Sequence, residues 1–156
     1  MRGRKFGKKI PDTYWFWYFM GVFFAMIGSL FQQGPGYMDV AYYTVGGLQI
    51  FEGKGFFEPY LWNYLSNPKG LPSPAFTYWM PLPSLLVFMG MLLGNSSEFF
   101  WAKLPFILLT GLLPVLSVYI ARHLLNNSVY TWIAGGLAVI PGIYTIYVSL
   151  PETFVP

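Results

Sequence analysis

A carboxylate that works on a substrate must sit where the substrate can reach it, and this chain offers few. Three of its six acidic residues, Asp39, Glu52 and Glu58, fall in one stretch, Gly36 to Pro83, that lies between strongly apolar runs. Acid set beside apolar chain is costly, and in membrane proteins it marks function. Asp39 follows the helix-breaking Gly34-Pro35-Gly36 and precedes VAYYTVGGLQIF. It is placed to cap a helix, and a carboxylate at a surface is also suited to accept a proton. Glu52 and Glu58 read as solvated loop charges. Glu152 is a second candidate, with an ordinary interfacial charge as its plain alternative, and the single histidine is His123. Tyr42, Tyr43, Trp62, Tyr78 and Trp79 surround the acids in sequence. Such rings stack on sugar or lipid, or anchor a chain at the headgroup level.

The elements that must position these residues are written in the composition. The 156 residues are 55% hydrophobic and only 10% charged, far below the roughly 25% charged of a globular domain. That is the composition of an integral membrane protein. Cysteine is absent, so thiolate chemistry is excluded. The net charge of +3 comes from Arg2, Arg4, Lys5, Lys8 and Lys9, packed directly before an apolar helix. A nucleic-acid surface needs basic groups spread along a face, so the cluster reads as a cytoplasmic anchor.

Tyr14 to Phe31 is an uncharged run of 18 residues, long enough to cross a hydrocarbon core of about 30 Å. It exceeds the h-region of a signal peptide, and no small-x-small cleavage site follows it. Basic residues before it keep the N-terminus cytoplasmic, so an outer loop of about 32–98 follows. Within that loop the spacing predicts a short surface helix from Asp39 to Phe51, stopped by Gly53-Lys54-Gly55. Met80 to Gly94 is apolar but opens at Pro81 or Pro83 and closes at Gly94, at most about 13 residues or roughly 20 Å. It is expected not to span, which also leaves Arg122 and His123 on the cytoplasmic side, as the positive-inside rule prefers. Asn95-Ser96-Ser97-Glu98 resembles a capped helix start. Further spans are expected at about 99–121, bent at Pro105 and Pro114, and at about 129–150, which returns Glu152 to the face that carries Asp39.

An Asp just after the first apolar helix, then AYY, then an apolar helix ending in EGKGF, then YWMPLPSLL, is the order of parts through which this sequence resembles the GT-C membrane glycosyltransferases. The likeness is to the branch of protein O-mannosyltransferases and aminoarabinose transferases, and it covers most of the chain. One departure is that the Asp-Glu pair of the mannosyltransferases is here Asp39-Val40. The resemblance implies an all-α membrane protein with two juxtamembrane helices in its first outer loop. It implies more spans than three, so the chain is expected to be the N-terminal part of something longer. The implied reaction moves a sugar from a polyprenyl-phosphate donor to a lipid or protein acceptor. In it Asp39 activates or orients the acceptor, and an acid in the second outer loop, here Glu152, assists. Some members of the class bind a divalent ion and others none, which leaves a metal open. The leaving lipid phosphate needs positive charge or aligned N–H donors, found together at the head of the second span. Lys103 is the residue chosen there, with Lys54 and Lys69 as lesser partners and a snorkelling anchor as its plain alternative. Two other classes compete, a non-catalytic membrane subunit or scaffold with a partner-binding outer loop, and a transporter fragment. The transporter ranks last, because the spans hold no buried acid or broken-helix pair.

Overall fold

The computed structural model describes residues 12–59, 71–76, 79–125, 127–140, 142, 147 and 149–151. They form a mostly helical structure: α1 (Asp12–Leu30), α2 (Met38–Phe51), α3 (Leu82–Gly94), α4 (Phe99–Thr110), α5 (Leu112–Leu125) and α6 (Ser128–Val139). A two-stranded antiparallel ribbon, β1 (Phe57–Glu58) with β2 (Ser73–Pro74), pairs Phe57 with Pro74 and Glu58 with Ser73. The ribbon has no counterpart in the sequence-based expectation, since neither two-residue strand carries a periodicity.

α4 and α5 make one rod of 27 residues, Phe99–Leu125, joined at a Gly111 that keeps right-handed helical angles. Pro105 and Pro114 lie within it and lack the donors that would bond the carbonyls of Trp101 and Thr110. Among the described residues, this rod and Thr13–Leu30 are the two helices long and apolar enough to cross a membrane. α3 and α6 are apolar but only 13 and 12 residues long.

α1 runs antiparallel to the rod. At one end Lys103 bonds carbonyls at the close of α1, and at the other Arg122 lies over the Tyr14 ring, 4.8 Å from its centroid. Residues 31–98 therefore leave and rejoin the bundle at the same end. Close approach of the helices depends on glycine. A Cβ on Gly21 would meet Pro114 at 2.9 Å, and one on Gly135 would meet the Trp17 indole at 2.6 Å. Trp17, Val118 and Val139 form the core between α1, α5 and α6. α3 lies between α2 and α4, where Val87 and Met91 pack on Ala102 and Phe106. The outward surface of the long helices is apolar, with Phe19 61%, Leu124 75% and Leu137 of α6 70% exposed.

Two boundaries differ from expectation. The run expected to be helical to residue 150 stops at Val139, where Ile140 turns to φ −124°, ψ 82° and Gly142 takes φ +63°. Pro141 supplies the reason, because it disfavours helical angles in the residue before it and cannot donate to a helical ladder. Asn95 does not open α4. It closes α3 in the left-handed conformation, φ 47°, and Glu98 holds the N-cap position of α4 with no side-chain cap bond. A left-handed Asn is a common helix terminator, and here that role outweighs capping.

Candidate functional site

The site is built at the end of the bundle where α1 stops and α4 begins. Gly36, at φ +77°, turns the chain after α1, and Tyr37 in extended conformation takes the N-cap position of α2. Asp39 is thus not the cap. It is the second residue of the helix, in the first turn, where its charge faces the positive end of the helix dipole. It is half-buried and engaged with its surroundings. Tyr42 and Tyr43, three and four residues on, share its side of the helix. They are 3% and 0% exposed, so neither offers a face to a ligand, contrary to the expectation that both could stack on one. The half-buried Trp79 covers them, its ring 6.1 Å from Tyr42 and 6.3 Å from Tyr43.

Glu58 corrects the sequence reading most. Expected in solvent, it is 5% exposed, and the Tyr42 hydroxyl donates to its Oε1 in a short hydrogen bond. The Phe76 amide donates to both that oxygen and Tyr42 Oη, each at 3.2 Å. Phe76 has φ +62°, which costs a bulky residue of order 1–3 kcal/mol and persists only where the surroundings hold it. The bonded amide and the ribbon do so, since Ala75 N also donates to Phe56 O at 2.9 Å. Glu52, by contrast, is exposed and pairs with Lys54. Lys54 borders an open groove of about 470 Å³ with Gln49, Phe57 and Leu71, apart from the aromatic cluster.

Lys103 is buried, 2% exposed, and its Nζ donates to the carbonyls of Ser29 at 2.6 Å and Gln32 at 2.7 Å. Both carbonyls lie at the C-terminus of α1, where Ser29 O also accepts from the Gln32 amide at 3.1 Å, so the ammonium adds to the closure of one helix from the first turns of another. The Phe99 ring lies 5.1 Å away. Beside them opens a cavity of about 370 Å³ lined by Ser29, Gln32, Gln33, Glu98, Phe99 and Lys103. The Ser29 hydroxyl is buried there with no hydrogen-bond partner among the described residues. The burial of Lys103 does not fit the plain alternative of a snorkelling anchor, which would hold its ammonium in water.

Glu152, Trp62, Lys69 and Tyr78 lie outside the described residues. The segment leading to Glu152 docks at this same end, for Ser149 Oγ donates to Gln32 Oε1 at 2.6 Å and Tyr147 packs edge-on against Tyr37. His123 stands twenty residues past Lys103, about 30 Å along the rod, with Nδ1 2.8 Å from Tyr119 O. Among the described residues no three His, Asp or Glu side chains converge in a way that would hold a metal ion.

Lys103 was chosen from the sequence, but its burial and its partners were not foreseen, and the Glu58 cluster was missed, because the partners lie 16 to 74 residues away. No local pattern encodes such pairings. In comparisons with known proteins, no family model, no curated protein and no solved structure matches this chain.

Proposed function

We infer that this chain forms the acid-bearing outer site of a multi-pass membrane glycosyltransferase of the GT-C type. Its N-terminus is cytoplasmic, and a polyprenyl-phosphate sugar is the donor. What carries this is the packing of two helices too short to cross a bilayer, α2 and α3, at the end of α1 and α4, with Asp39 in the first turn of α2. That is the arrangement the resemblance implies for a first outer loop. The apolar exterior of the long helices suits lipid, and the return of residues 31–98 to one end suits a loop that stays on one side.

In the reaction the acceptor oxygen attacks the anomeric carbon as the bond from that carbon to the phosphate oxygen breaks. The polyprenyl phosphate leaves with the electron pair, and the carbon inverts. Asp39 takes the proton from the acceptor hydroxyl. Lys103, already holding the close of α1, lends positive charge to the cavity in which the leaving phosphate would lie. Glu152 is the second acid of this reading, and the segment that precedes it in sequence docks on Gln32 and Tyr37.

The test is Asp39→Asn in the full-length protein, reconstituted in vesicles and offered a panel of polyprenyl-phosphate sugars. Losing the charge at the helix start costs only about 0.3–1 kcal/mol. Losing a general base costs about 10²–10⁴-fold in transfer. The expected result is that larger loss with expression and donor binding near normal. Transfer within about threefold of the parent would discard the catalytic role and favour a non-catalytic membrane subunit.

A further inference from the structure

Glu58 is buried, yet the transfer chemistry above gives it no task. A carboxylate withdrawn from water is expensive unless its hydrogen bonds are made, and among the described residues its partners are two neutral donors, the Tyr42 hydroxyl and the Phe76 amide. Those donors come from different parts of the chain, one from α2 and the other from the left-handed residue that ends the ribbon. Three residues after Phe76, Trp79 lies over Tyr42 and Tyr43. Of these three rings it alone has open surface. Glu58 therefore ties the loop that delivers Trp79 to the helix that carries Asp39.

We propose that Glu58 is a positioning residue, a latch that sets Trp79 on the Asp39 side of α2, and that Trp79 is the ring against which the apolar face of the transferred sugar packs. The sugar half of this rests on the function proposed above. The latch does not.

The experiment is ¹⁹F NMR of the full-length protein labelled with 5-fluorotryptophan, with the Trp79 resonance assigned by its loss in Trp79→Phe. Glu58→Ala and Tyr42→Phe should each move that resonance and leave the Trp17 and Trp132 signals in place. Glu58→Gln should stay near the parent, because an amide oxygen can accept both bonds. In transfer assays Glu58→Ala should raise the donor KM roughly tenfold with kcat within about threefold, the reverse of Asp39→Asn. An unmoved Trp79 resonance in both Glu58→Ala and Tyr42→Phe overturns the latch. A kcat loss of tenfold or more in both Glu58→Gln and Glu58→Ala, with Trp79 in place in Glu58→Gln, overturns the positioning role and makes Glu58 a proton carrier. A parent protein that transfers no sugar overturns the glycosyltransferase reading and the sugar half together, while the resonance still decides the latch. Should Glu58→Ala not fold, Tyr42→Phe decides alone, since it removes one hydroxyl and no bulk.

Discussion

At the scale of single residues, Lys103 shows how a cation can be structural and electrostatic at once. Two of its three N–H donors are spent on the carbonyls of Ser29 and Gln32, and the charge stays at the rim of a cavity. Lys103→Met keeps the length of the side chain but removes both bonds from the ammonium. Hydrogen bonds to a charged group are worth about 1.5–3 kcal/mol. A thermal melt of the detergent-solubilised protein should fall by several degrees, about 2–8 °C. Lys103→Ala should also weaken use of the donor more than use of the acceptor, and Lys103→Arg should retain more of it. Normal donor dependence in a variant that melts lower would leave Lys103 as a helix closure alone. The start of α2 was legible because a break, an acid and an aromatic pair are adjacent, although Tyr37 and not Asp39 takes the cap position. Glu58 was not, because nothing near it in the chain announces Tyr42 or Phe76 as partners.

Among the elements, the seam between α3 and α4 is set by two glycines. A Cβ on Gly90 would collide with the Trp101 carbonyl and lie 2.8 Å from Pro105 Cδ, and one on Gly94 would enter the Trp101 indole. Backbone cannot yield as a side-chain tip can, so Gly90→Ala should force α3 away and cost about 1–3 kcal/mol or more. Gly136, also helical, faces open space. Gly136→Ala should stabilise by about 0.5–1 kcal/mol through backbone entropy, and the opposite signs are read from paired chemical or thermal unfolding curves. The ends of α2 and α3 were legible, because Gly53 and Gly55 take positive φ after Phe51 and prolines open α3. The end of α6 was misjudged when apolar character was followed past Pro141, although that proline was in plain view. Apolarity measures what a segment can dissolve in. It does not measure where its hydrogen-bond ladder must stop.

For the whole molecule, the antiparallel pairing of α1 with the α4–α5 rod fixes which segments share an end. If the long helices cross a bilayer, Ser73 and Ser97 face one side and Asn127 the other. The chain contains no cysteine, so single cysteines at these positions can be probed with an impermeant thiol reagent. Labelling from outside is expected at Ser73→Cys and Ser97→Cys and not at Asn127→Cys. Protection at position 97 with reaction at 127 would mean that α3 crosses. The same pairing sets a clock on biosynthesis. The Ser29 carbonyl, already met by the Gln32 amide, gains the Lys103 ammonium only 74 residues further along the chain. At about 5–20 residues per second, the ribosome reaches that lysine some 4–15 s after it has finished α1. During that interval the closing turn of α1 has its own backbone bonds but not the ammonium, so the seam between the two long helices closes only when the second arrives.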